Sequence, residues 1–159
     1  MRPTIPLLLS ALVLATGCGN PSTSGTPMDL ASSGAADMAL SFPVPAGCNT
    51  ATAATGTAAY MVLNSAGCTG SGCHNAGQTP VFASQTTFMS ATIGKASTAG
   101  MNYVVAGDPD HSYLLYKLGG LAAKVPGGGG AQMPQGKTPL TAAQLCTIYQ
   151  WIKNGAPTN

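Results

Sequence analysis

Cys68-Thr69-Gly70-Ser71-Gly72-Cys73-His74 sets two thiols on either side of four small residues and puts an imidazole directly after the second thiol. Thiolates and imidazoles are the side chains that hold soft and borderline metals or attack electrophiles, so the chemistry of the chain concentrates here. Two of the four residues between the cysteines are glycines, which gives the intervening loop room to bulge. Bland readings stand beside a functional one. The pair could form a Cys68–Cys73 disulfide with His74 incidental, or contribute to a zinc site. Zinc is the poorer of these, because a closed zinc site takes four Cys or His ligands and the sequence holds no second compact pair.

The same heptapeptide resembles a c-type haem attachment site, in which two thiols add to the haem vinyl groups and the adjacent His becomes the proximal iron ligand. The common form has two residues between the cysteines; here there are four. Downstream, Met133 sits in Gly130-Ala131-Gln132-Met133-Pro134, after the glycine run Gly127 to Gly130 and before Pro139. A Met isolated in a polar Gly/Pro loop has little core around it, and a thioether is the second axial ligand of His/Met cytochromes. Met133 is therefore the favoured sixth ligand. Met101, in Gly100-Met101-Asn102, is the rival methionine, and His111, expected on the first turn of a surface helix, is the rival for a bis-His site.

Helical patterns frame these motifs. Thr50 to Leu63 is Ala-rich and ends in Tyr60-Met61-Val62-Leu63. Asp108-Pro109 reads as N-cap and first helical position of a helix running to Leu118. Thr141 and Gln144 form a capping-box pattern, after which Leu145, Ile148, Tyr149 and Ile152 recur at helical spacing until Gly155. A weaker helix follows Ser84 and includes Phe88 and Met89. No run alternates as a half-buried strand does, and Tyr103-Val104-Val105 is the one strand-like triplet. The expected fold class is all-α, a small helical domain.

Four ordered features over about a hundred residues resemble the small bacterial cytochrome c domains found in multi-domain and lipoprotein contexts. They are Cys68 to His74, then Gly107-Asp108-Pro109-Asp110-His111-Ser112-Tyr113-Leu114, then Gln132-Met133-Pro134. The last is Leu140-Thr141-Ala142-Ala143-Gln144-Leu145 with Trp151-Ile152-Lys153-Asn154-Gly155-Ala156. The resemblance implies a cytochrome c-like all-α fold whose first and last helices cross beside one covalent haem c, with Trp151 at the crossing. It implies Cys68 and Cys73 as attachment points and His74 and Met133 as axial ligands. Once Cys18, Cys68 and Cys73 are assigned to lipid and haem, Cys48 and Cys146 are left. If those helices cross, a disulfide can join them, and export permits it; the alternative is two buried free thiols.

Arg2 precedes an apolar run from Ile5 to Leu14, and Ala15, Thr16 and Gly17 lead directly into Cys18. This is the layout of a secretory signal over residues 1–17, and the run is shorter than the ~20 apolar residues a bilayer span needs. Small residues followed by Cys resemble a bacterial lipobox, with Ala15 where Leu is commonest. Cys18 is thus the expected lipidation site, and acyl chains would anchor the chain to a membrane. Gly19 after it looks like the outer-membrane type, on the periplasmic side of the envelope. Residues 18–46, rich in Ser, Thr, Pro, Gly and Ala, read as a tether, and residues 47–159 as the domain.

Only 6% of residues are charged and the formal net charge is +2, which excludes a nucleic-acid binder with clustered Lys and Arg. Much of the 45% hydrophobic content is Ala, so a core short of large side chains gains from a cross-link, metal or cofactor. There are no paired acids, serine triad or phosphate loop, and Asp108 and Asp110 are explained by helix capping. The expected function is an exported, lipid-anchored monohaem cytochrome passing single electrons to redox protein partners, and not an enzyme. The alternatives are a haem enzyme or sensor with an open sixth site, and a non-haem, disulfide-stapled envelope lipoprotein acting as a binding or structural module.

Overall fold

The computed structural model describes residues 40–159. The expected signal, the Cys18 lipid site and the tether up to residue 39 lie outside the described residues. Among the described residues four α helices are joined by long turns: α1 (Gly56–Ser65), α2 (Gln85–Thr92), α3 (Tyr113–Leu118) and α4 (Ala142–Lys153), with a single 3₁₀ turn at Ala122–Lys124.

Each longer helix starts where a hydroxyl can satisfy a free amide. Thr55 accepts from the Ala58 amide at the start of α1. Ser84 with Thr87, and Thr141 with Gln144, complete capping boxes on α2 and α4. At the other end of α4 the Gly155 amide bonds the Ile152 carbonyl and the Ala156 amide bonds the Trp151 carbonyl, the double closure of a glycine-terminated helix. That closure folds the tail back, and the Trp151 indole N–H donates to the Pro157 carbonyl at 2.9 Å.

α1 packs on α4 and on α2, and α3 packs on α4. The fully buried side chains at the centre of the core are Leu63, Phe88, Leu115, Tyr116, Ile148, Trp151 and Ile152. Trp151 meets Phe88 with ring centroids 5.3 Å apart. A disulfide joins Cys48 to Cys146 on α4, with Cα atoms 5.3 Å apart and a sequence separation of 98. Residues 40–46, read as the end of the tether, also belong to the packing. Phe42 is 3% exposed, stands edge-on to Tyr116 at 5.2 Å, and donates its amide to Asp110 Oδ1 at 2.8 Å.

The all-α expectation is corrected. The helices contain 10, 8, 6 and 12 residues, and most of the chain between α1 and α4 is turns and irregular backbone. Three isolated β-bridges cross it: Ile93 with Val104, Ala96 with Asn102, and Val105 with Asp108. The physical reason lies in the loops, where backbone groups pair over distance: the Tyr103 amide bonds Lys95 and the Leu114 amide bonds Tyr103. The helix expected from Asp108 begins only at Tyr113, because Asp108 accepts the His111 amide at Oδ1 and the Ser112 hydroxyl at its carbonyl, closing a turn instead. His111 therefore lies on that turn and not on a helix. Residues 50–55 likewise precede α1 as turn and extended chain.

Candidate functional site

The end of α1 delivers the first cysteine. Gly67, at φ +78°, bonds its amide to the Asn64 carbonyl, and the next amide, that of Cys68, bonds the Leu63 carbonyl, both at 2.9 Å. This closure needs a left-handed residue, which glycine takes without strain. A Cβ at Gly67 would also lie 2.7 Å from Lys137 Nζ. The turn sends the chain inward, so Cys68 is buried alongside Leu63. The four-residue bulge then closes on itself: the Cys73 amide bonds the Gly70 carbonyl and the His74 amide bonds the Cys68 carbonyl. Cys68 and Cys73 are both free thiols, so the bulge is not closed by a disulfide.

His74 is held on two sides. Its Nδ1 lies 2.8 Å from the Pro80 carbonyl, and its ring stacks on Phe82 with centroids 4.7 Å apart. A carbonyl only accepts, so Nδ1 carries the proton and Nε2 of the neutral ring keeps its lone pair.

A cavity of about 410 Å³ brings the separate motifs together. Its wall contains Cys68, Cys73 and His74 from one stretch and Met133 from a loop far downstream. Leu63, Phe82, Leu114 and Leu118 supply apolar surface between them. Met101 is partly buried against the core and is not part of this wall. His111 is also absent from it: its side chain is 59% exposed, with Nδ1 2.7 Å from Asp108 Oδ2.

Burial pushes the Cys68 thiol up to about 11, with Cys73 adding to the rise and Lys137 opposing it. The sulfur is therefore a neutral thiol at physiological pH, stored in an apolar wall. Among the described residues no group of three or more His, Cys, Asp and Glu converges on a bare metal ion. The wall of the cavity carries two thiols, an oriented imidazole and a thioether set in apolar surface, residues that could hold a cofactor, and its volume lies within the roughly 300–1,000 Å³ range of ligand sites.

Pro80 and Lys117, which also lines the cavity, carry no local sequence signal; their contacts run six to fourteen residues along the chain. Gly67 has no part in the sequence reading, although a glycine shortly past an apolar helical run is a helix-end signal that could have found it. Comparison of the chain with family models, with curated proteins and with solved structures returns no match.

Proposed function

We propose that this chain is an exported, lipid-anchored monohaem c-type cytochrome that passes single electrons, with one haem c held by Cys68, Cys73, His74 and Met133. The observation that carries the reading is the shared cavity, whose wall unites both thiols, the imidazole and the one methionine that the loop sequence singled out. Haem, when bound, supplies one-electron exchange between ferrous and ferric iron.

The chain's own residues supply the rest. Cys68 and Cys73 would hold the group covalently as two thioethers, each formed by adding S and H across a vinyl double bond, which needs no oxidant. His74, its Nδ1–H committed to Pro80, would bind the iron through Nε2, and Phe82 limits rotation of the ring. Met133 would hold the iron through a neutral thioether, which would favour the ferrous state relative to a second imidazole. Leu63, Phe82, Leu114 and Leu118 limit water and lower the local dielectric. Redox protein partners and a Cys18 anchor on the periplasmic side of the outer membrane complete the proposal.

The test is protein produced with a cytochrome c maturation system. Haem is expected to survive acid–acetone extraction and to appear as added mass on the chain, and the paired substitutions Cys68→Ala and Cys73→Ala should abolish both. Wild-type protein that matures with no haem-linked mass would overturn the proposal and leave the disulfide-stapled binding module in its place.

A further inference from the structure

The loop that carries Met133 is fastened to α3 at its start, where the Tyr113 hydroxyl meets the Gly129 backbone, and more extensively at its C-terminal end. A helix leaves its last carbonyls without intrahelical partners. In α3 the closing turn satisfies one of them, with the Leu121 amide on the Tyr116 carbonyl at 2.8 Å. The next two are taken by the loop: the Met133 amide bonds the Lys117 carbonyl at 3.0 Å, and Gln132 Nε2 bonds the Leu118 carbonyl at 2.8 Å. Lys117 answers in the other direction. Its Nζ donates to the Gly129 carbonyl at 3.0 Å and the Ala131 carbonyl at 2.8 Å. The ammonium thus bridges two carbonyls at the end of a glycine run in which Gly127, Gly129 and Gly130 all have positive φ. Such a run has high chain entropy when free and needs bonds to hold one shape.

We infer that Lys117 and Gln132 are positioning residues that latch the 129–133 loop to α3 and so keep the Met133 sulfur at the cavity. This rests on the reading of Met133 as an axial ligand. Lys117 acts through the loop and not on the haem. Its two hydrogen bonds are charge-assisted, stronger than those between neutral groups, so their loss shifts the balance between a docked and an undocked loop. An undocked loop leaves the sixth position open to external ligands, while the thioether links and His74 stay in place.

The experiment compares mature haem-loaded wild type with Lys117→Leu, Lys117→Arg and Gln132→Ala. It reads the near-infrared charge-transfer band of thioether-bound ferric haem, the reduction potential, and the rate of cyanide binding. Lys117→Leu is expected to weaken the band, lower the potential and speed cyanide binding by about tenfold or more, the scale set by losing charged hydrogen bonds. Lys117→Arg, which keeps the charge and the donors, should restore wild-type behaviour, and Gln132→Ala should shift the readouts in the same direction by less. Far-UV circular dichroism should be unchanged throughout. Should Lys117→Leu fail to fold, the exposed Gln132→Ala decides alone. Wild-type band, potential and cyanide rate in both variants would overturn the latch while leaving Met133 ligation intact. Unchanged spectra in Met133→Ala would instead bring down the ligand reading and the latch with it.

Discussion

His74 Nδ1 and the Pro80 carbonyl oxygen stand 2.8 Å apart, so the imidazole that ends the Cys68–His74 motif is oriented by the backbone six residues further on. A proton fixed on Nδ1 leaves Nε2 as the donor, and Phe82 stacked at 4.7 Å limits ring rotation. On the proposed reading this oriented imidazole would serve one side of the cofactor, and the side that Met133 would serve is the one to test.

Met133 decides whether that side is closed. In haem-loaded protein, Met133→Ala is expected to remove the near-infrared thioether band, lower the reduction potential, and let carbon monoxide or cyanide bind readily. Met101→Ala and His111→Ala should retain the band, since neither residue belongs to the cavity wall. If Met101→Ala abolished it and Met133→Ala did not, the loop methionine would be a bystander.

The Cys48–Cys146 disulfide ties the segment before α1 to α4 across 98 residues. Closing a loop of that length contributes about 4.7 kcal/mol on the chain-entropy model, against about 2–4 kcal/mol for a typical disulfide. The double substitution Cys48→Ala with Cys146→Ala should lower the Tm by at least about 8 °C, measured by circular dichroism on haem-loaded protein. A fall smaller than about 2 °C would mean that the cross-link constrains the unfolded chain far less than its length requires.

Gly56 begins α1 beneath the C-terminal tail. A Cβ there would run into the Pro157 carbonyl and lie 2.7 Å from the Met89 methyl. Ala is the better helix former by up to about 1 kcal/mol, yet overpacking costs about 1–3 kcal/mol, so the clash wins. Gly56→Ala should lower the urea midpoint with an unchanged slope. Removing Pro157 to Asn159 in the same chain should make the two changes non-additive, because much of the clash is with the segment deleted. Additive losses would show that the tail yields without cost.

Cys18 is the proposed lipid site on sequence grounds, at the junction of Ala15-Thr16-Gly17 with the cysteine. Metabolic labelling with a clickable fatty acid should mark wild type and spare Cys18→Ser, and only wild type should sediment with membranes. Equal labelling of the two would move the lipid elsewhere.

What the amino-acid sequence determined by itself is what depends on near neighbours. The capping box of Thr141 and Gln144, the Ser84 start of α2 and the Gly155 stop of α4 all formed as read, because each rests on groups a few residues apart. The overall class did not follow from these local features. The backbone between the helices is paired by contacts such as Tyr103 to Lys95 and Leu114 to Tyr103, so an all-α reading built from helical patterns missed how much of residues 40–159 is not helical. Phe42, hidden in a low-complexity stretch, shows the same gap, since only packing on Tyr116 and the bond to Asp110 reveal it as core. In the candidate site the residue types were legible: thiols, imidazole and thioether announce themselves by chemistry. Their convergence was decided by tertiary structure. Met133 reaches the cavity because the carbonyls of Lys117 and Leu118, left unpaired by the end of α3, accept its loop, and no sequence period records a hydrogen bond that exists only after two distant segments have met.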